Sequence, residues 1–181
     1  MCSSDLKSDD PILTQVCESF NFSNPPFDPV EFAQDLVKHM YDWNGIGLAA
    51  NQVGVPYRVF AMRGSPENFV CYNPKIVQPS EQEIILEEGC LTFPGLNVKI
   101  KRPQHVRVRF TTPMGETITR QFTGMTARIF QHELDHLDGI IFYNKANRVH
   151  RDKALEKWRK GKKTSINIVP DLSSYEYLLH R

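Results

Sequence analysis

The sequence predicts an α+β fold. Two observations carry this. Between Val55 and Thr123, short runs rich in Val, Ile and Phe alternate with polar residues and are bounded by Pro and Gly, the texture of half-buried strands joined by turns. On either side of that stretch, apolar residues recur at helical spacing instead. Short strands with short connections favour antiparallel pairing, because a parallel pair needs a long crossover. The expected architecture is a set of mostly antiparallel strands packed around a central helix that carries His132 and His136. An N-terminal amphipathic helix and a C-terminal basic helix complete it. The chain reads as one domain: residues 1–26 a loosely ordered arm, 27–147 the core, and 148–181 a basic helix and tail.

The first helix is expected over Pro29–Trp43. Asp28 can cap it, Pro29 suits the first helical position, and Glu31 stands three residues after the cap. Val30, Ala33, Leu36, Val37 and Met40 give it one apolar face, and Asn44-Gly45 ends it. Strands are expected at Arg58–Met62, Phe69–Tyr72, Gln82–Glu87, Asn97–Lys101, His105–Thr111 and Thr117–Phe122, with a hairpin turn at Pro113-Met114-Gly115. A second helix is expected over Gly124–Asp138. Thr123 is its candidate cap, Gly139 suits the position past its end, and Phe130, Leu134 and Leu137 form its apolar stripe.

Composition narrows the function classes. Hydrophobic residues make up 40% and charged residues 24%, as in globular rather than disordered chains. A formal net charge of +1 gives no whole-molecule field that would draw the chain onto DNA or a membrane. No apolar run approaches the roughly 18 residues of a transmembrane helix. The polar stretch Met1–Asp10 lacks the apolar core of a signal peptide, so the expected compartment is the cytoplasm. Cys2, Cys17, Cys71 and Cys90 are few and scattered, which favours free thiols over a disulfide framework.

Chemistry concentrates at His132-Glu133-Leu134-Asp135-His136. On a helix, positions i and i+4 share a face, so both imidazoles can reach one metal ion. Glu133, offset by one residue, can serve as a proton acceptor beside that ion without ligating it. A catalytic metal usually has three protein ligands and an open position. The downstream extension of many zinc proteases is absent, since Phe142 stands where the further His belongs; His150 and Glu156 remain as candidates. Upstream, Cys90 offers a thiolate at the end of a strand.

Residues 88–94, Glu-Gly-Cys-Leu-Thr-Phe-Pro, resemble the cysteine motif of peptide deformylases. Gln131-His-Glu-Leu-Asp-His136 resembles their second motif, and Gly45-Ile-Gly-Leu-Ala-Ala-Asn-Gln52 their first. The three occur in the family's order, and the recognisable match runs from about Pro29 to Phe142. The resemblance implies hydrolysis of the N-formyl group from the N-terminal formylmethionine of nascent proteins. It also implies that Cys90, His132 and His136 bind one divalent ion, Fe(II) in the family, with Zn, Ni or Co accepted. A Cys and two His suit zinc equally well, so their spacing does not choose iron.

By the same resemblance, Glu133 is the general acid and base, and the Gln52 side chain and Leu91 amide receive the oxyanion. The peptide would lie extended beside Ile46, Gly47 and Gly89, with its methionine among Ile46, Leu86, Met125 and Ile129. Glu88 and Arg102 would hold the groove as a charge pair, and Asp135 is either a partner behind the ligands or a surface charge. Asn51 sits at a position that varies in the family, and Thr92 replaces the commoner Ser. Arg148–Lys163 is basic, with Ala154, Leu155 and Trp158 as a small apolar face. A ribosome contact through it is set against a merely solvated helix, and Gly161 is expected to interrupt it. Two other functions fit parts of the pattern: a metallopeptidase with this helix motif, and a degenerate module that binds peptide ends without catalysis.

Overall fold

The computed structural model describes residues 8–162. In chain order the elements are α1 (Pro29–Asp42), β1 (Gly47–Ala49), β2 (Val59–Met62), β3 (Phe69–Pro79), β4 (Glu83–Cys90), β5 (Phe93–Pro103), β6 (His105–Thr111), β7 (Thr117–Thr123), α2 (Gly124–Leu137) and α3 (Arg148–Lys162). Every strand pair is antiparallel, in a five-stranded sheet of order β1-β2-β3-β6-β7 and a separate two-stranded sheet β4-β5.

α1 starts where its cap requires. Asp28 Oδ1 accepts from the amides of Val30 and Glu31 at 2.8 and 2.9 Å, satisfying donors that no helical carbonyl can reach. Its inward face is Ala33, Leu36 and Met40, and Leu36 and Met40 lie in the cluster that includes Leu48, Val59, Ala61 and Tyr72. The helix ends as Asn44 turns to φ 55° and the Gly45 amide returns to the Met40 carbonyl at 2.8 Å. That turn feeds β1, a strand of three residues that is too short to show a period in the sequence.

β3 runs on past the expected Tyr72 to Pro79. Asn73-Pro74 reads as a breaker, but the strand absorbs it as a register shift between Tyr72 and Lys75, with Asn73 at φ 48°. β4 and β5 also extend beyond the sequence estimate, because they pair with each other from Glu83–Pro103 to Cys90–Phe93. The turn between β6 and β7 is the expected one, with Gly115 at φ 84°.

α2 crosses the centre of the molecule. Its apolar residues Phe130, Leu134 and Leu137 join Phe60, Met62, Val106, Val108, Phe110 and Phe122 in the largest core cluster. Its polar residues are buried too: every position from Ala127 to Leu137 is inside. The expected cap does not form. Thr123 is still paired with His105 in the β6–β7 ladder, and its side chain makes no capping bond. Gly139 ends the helix at φ 67°, and a Cβ there would lie 2.7 Å from the Thr14 backbone.

That contact corrects the reading of the N-terminal arm as loose. Within 8–26, Leu13, Cys17 and Phe20 are buried. The Cys17 amide donates to the Leu137 carbonyl at 2.8 Å, and Asn73 bonds the Phe20 backbone in both directions. α3 also departs from expectation, running through Gly161 to Lys162. Ala154, Leu155 and Trp158 pack on the cluster of Phe93, Leu96, Val98, Ile100 and Phe142. The tail 163–181, Cys2 and Lys163 lie outside the described residues.

A candidate metal centre at the floor of a cavity

Helical geometry places His132 and His136 one turn apart on one face of α2, with ring centroids 5.0 Å apart. Cys90 ends β4, where the pairing with β5 shifts register after Glu88. Its Sγ comes within 3.3 Å of His136 Nε2. One ligand atom from each of Cys90, His132 and His136 lies within 4.8 Å of the others, and no other such triplet of His, Cys or acidic residues occurs among the described residues. His150 and Glu156 lie on α3, outside this cluster. A thiolate and two imidazoles fit a divalent transition ion. Burial alone would raise the Cys90 thiol, but His136 and His132 outweigh it and hold the pKa well below the usual thiol value.

The imidazoles are held from behind. His132 Nδ1 lies 3.0 Å from Glu88 Oε2, which leaves Nε2 for the metal side. Glu88 also accepts from Arg102 Nε and Nη2 at 2.6 and 2.9 Å and from Arg128 Nη1 at 2.8 Å. Despite burial, His132 and Arg102 keep the Glu88 carboxyl well below the ordinary carboxylate range. Arg102 Nη1 donates to Asp135 at 2.7 Å, and Lys145 stands 3.3 Å from the same carboxylate. Asp135 is therefore a buried partner and not a surface charge. At the other ligand, Asn51 Nδ2 donates to the His136 carbonyl at 2.7 Å.

Glu133 faces β1. A Cβ at residue 47 would overlap the Glu133 carboxylate, so glycine there makes the space the carboxylate occupies. Burial pushes the Glu133 carboxyl up to about 7, against the opposing pull of His132 and His136. Gln52 sits in a single 3-10 turn, Ala50–Val53, that follows β1. Its Oε1 accepts from the Ala49 amide at 2.8 Å, which turns Nε2 toward Thr92 Oγ1 at 3.0 Å and Cys90 Sγ at 3.6 Å.

Above these groups opens a cavity of about 420 Å³. Ile46, Gly47, Gly89, Leu91, Met125 and Ile129 line it, with His132 and Glu133 also in the wall. Of the pocket residues expected from the resemblance, Leu86 alone is not part of this lining; it pairs with Ile100 in the β4–β5 ladder. Sequence reasoning missed Arg128 and Asn51 as partners behind the ligands. The one hint was spacing: Arg128 is one turn before His132, and Asn51 is next to Gln52.

Comparisons with known proteins agree with this geometry. The family model described as polypeptide deformylase matches residues 6–152. A peptide deformylase of Wolbachia pipientis wMel is 38% identical over 146 residues, covering 74% of this chain and 82% of the relative. One from Aquifex aeolicus (strain VF5) is 42% identical over 133 residues, covering 70% and 78%. Among solved structures, the peptide deformylase of Thermus thermophilus superposes with a TM-score of 0.79 at 31% identity, covering 85% of this chain and 91% of that one. The Plasmodium falciparum peptide deformylase in complex with an inhibitor gives 0.77 at 32% identity, covering 87% and 98%. Sequence match, superposed fold and the Cys-His-His cluster lead to one assignment: this chain belongs to the peptide deformylase family.

Proposed function

We propose that Cys90, His132 and His136 hold the one catalytic ion, that Glu133 moves the protons, and that Gln52 with the Leu91 amide receives the oxyanion. The chain is a metallohydrolase that removes the formyl group from the N-terminal formylmethionine of nascent proteins and releases formate. What carries the site assignment is convergence: three ligand atoms within 4.8 Å, the Glu133 carboxylate against Gly47, and the Gln52 amide 3.6 Å from Cys90 Sγ. A divalent ion held there would supply Lewis acidity to a carbonyl and make water a stronger acid.

The chain's own groups do the rest. Glu133 takes a proton from the attacking water as its oxygen adds to the formyl carbon. With its carboxyl at about 7, Glu133 can both accept and return a proton near neutral pH. Negative charge gathers on the formyl oxygen, where Gln52 Nε2 and the Leu91 N–H donate. Glu133 then passes the proton to the leaving amine as the C–N bond breaks. The peptide lies extended between Ile46-Gly47 and Gly89, read through backbone pairing that ignores its side chains. The methionine side chain occupies the space among Ile46, Met125 and Ile129.

We assign Fe(II) as the resident ion, with Zn, Ni or Co as substitutes, and the cytoplasm as the compartment. Among the described residues no helix is long and apolar enough to cross a membrane. α3 is the surface a ribosome contact would use, set against a merely solvated helix, since its apolar side packs on Phe93 and Phe142 while Lys153, Lys157, Arg159 and Lys160 are exposed. Truncation after Asn147 should abolish ribosome co-sedimentation, and the intact chain's binding should fall steeply with salt. The non-catalytic alternative is disfavoured because Glu133 and Gln52 are both present and placed. Among the described residues, no ligand downstream of His136 joins the cluster, as the metallopeptidase alternative would require.

The decisive experiment is anaerobic purification, elemental analysis, and formate release from formyl-Met-Ala-Ser, with Glu133→Ala as control. About one ion per chain and activity lost in the variant support the assignment. Full occupancy without formate release defeats it.

A further inference from the structure

The ligand set is divided between two parts of the fold. Cys90 ends β4 in the two-stranded sheet, whereas His132 and His136 lie on α2. Among the described residues, β4 and β5 pair with no strand of the larger sheet, so the backbone ladder does not fix the distance from Cys90 to α2. A catalytic centre tolerates misplacement of about 0.5 Å at most, so side chains must set that distance.

Arg128 stands at the junction. It lies on α2 four residues before His132, is 4% exposed, and also lines the cavity. Its Nη1 donates to Glu88 Oε1 at 2.8 Å and to the Ile100 carbonyl at 3.0 Å. Its Nη2 donates to the Ile84 carbonyl at 2.7 Å. One side chain of the helix thus reaches β4 at two places and β5 at a third. Glu88, the carboxylate it grips, is the group that meets His132 Nδ1. Arg128 and Arg102 together also balance two of the three buried carboxylates among the described residues, Glu88 and Asp135.

We infer that Arg128 is a positioning residue of the metal centre, clamping the β4–β5 hairpin to α2 and, through Glu88, setting the His132 ring. This rests on the reading of Cys90, His132 and His136 as the ligands, and adds to it a residue outside the ligand set. The planar fork is essential to the clamp. Lysine would keep the charge, but a single ammonium cannot serve a carboxylate and two carbonyls on separate strands in that geometry. Without the guanidinium, Glu88 keeps Arg102 as its only guanidinium partner, and the hairpin is held to α2 by Gln131–Pro103, Arg102–Asp135 and Glu88–His132, none of which reaches Ile84 or Ile100.

The test compares metal-stripped wild type, Arg128→Met and Arg128→Lys by Co(II) titration. The thiolate-to-Co(II) absorption band, the dissociation constant, the urea midpoint, and kcat and KM on formyl-Met-Ala-Ser are recorded. In both variants we expect Co(II) affinity about 10–100-fold weaker, the usual effect of losing a partner behind a ligand, with a displaced band and kcat reduced more than KM is raised. Wild-type affinity and band position in both variants, with only the urea midpoint lowered, overturn the inference and leave Arg128 a fold-stabilising residue. If Arg128→Met does not fold, Arg128→Lys decides: a return to wild-type affinity and spectrum means that charge alone suffices and the clamp is wrong. A wild type that shows no thiolate band on Co(II) binding refutes the ligand reading itself, a result distinct from equal binding in all three proteins.

Discussion

Gly47 and Glu133 occupy one space: the position a Cβ would take on residue 47 is already filled by the Glu133 carboxylate. The strand that follows α1 therefore does more than line a groove, because its lack of a side chain makes room for the carboxylate proposed to transfer protons. Gly47→Ala should displace that carboxylate and reduce kcat by about 10²-fold, the cost of misplacing a reacting group by an ångström or so. Metal content should stay near wild type, since the atoms nearest an added Cβ all belong to Glu133 and not to Cys90, His132 or His136. A variant with unchanged kcat would show that Glu133 is not needed where it lies.

Gln52 is fixed at both ends of its amide, by the Ala49 N–H at Oε1 and by Thr92 and Cys90 at Nε2. Gln52→Ala should lower kcat by about 10²–10³-fold, the typical loss of one oxyanion donor. KM should move much less, because the charge it meets develops only during reaction. Steady-state kinetics on formyl-Met-Ala-Ser would check this, and an effect confined to KM would assign Gln52 to substrate binding instead.

The described cysteines should differ sharply in reactivity. Burial raises the Cys71 thiol well above its ordinary value and pushes Cys17 up to about 11, whereas the neighbouring histidines hold Cys90 well below. Only a thiolate alkylates quickly. Iodoacetamide at pH 7 should therefore label Cys90 in metal-stripped protein, spare Cys17 and Cys71, and leave Cys90 unlabelled once Co(II) is restored. Peptide-resolved mass spectrometry would read the sites, and labelling of Cys90 that ignores the metal would remove it from the ligand set.

Tyr72 supplies a pH test outside the Cys90, His132 and His136 cluster. Its hydroxyl donates to the Pro29 carbonyl at 2.6 Å, and burial, with Asp28 nearby, raises its pKa above the ordinary 10.0. The folded pKa is raised, so the stabilisation is complete below pH 10.0 and is lost as pH climbs from there toward the folded value. Tyr72→Phe should cost about 0.5–1.5 kcal/mol at neutral pH and lose less stability than wild type above pH 10.0. Urea midpoints from pH 7 to 11 would show it, and parallel alkaline slopes would count against the buried hydroxyl.

The formyl carbon carries only hydrogen, and Glu133, Gln52 and Leu91 all line the cavity proposed to receive it. N-acetyl-methionyl peptides should be turned over at least about 10²-fold more slowly than formyl peptides, since a methyl group at a reacting centre disturbs alignment. Equal turnover of the two would mean that steric closure does not select the acyl group.

By itself the sequence determined much of this molecule. The cap at Asp28, the stop at Gly139, the β6–β7 hairpin and the i, i+4 histidines are local events, decided by residues within a turn or two of one another. The three motifs that carry the family resemblance are likewise short and contiguous, which is why Cys90, His132 and His136 were legible as a set. Tertiary structure decided the rest. Whether Asp135 and Arg128 were surface charges or buried partners depended on what packs over α2, and the β4–β5 hairpin, with Glu88 and Arg102, is what covers them. The N-terminal arm looked loose because its few apolar residues show no period, yet Leu13, Cys17 and Phe20 are buried against the rest of the fold. Leu86 fitted the pocket by resemblance and lies outside its lining, since a strand residue's direction follows from register. Local propensity fixes where an element begins and ends, but burial of a charge depends on long-range contacts that a single sequence does not display.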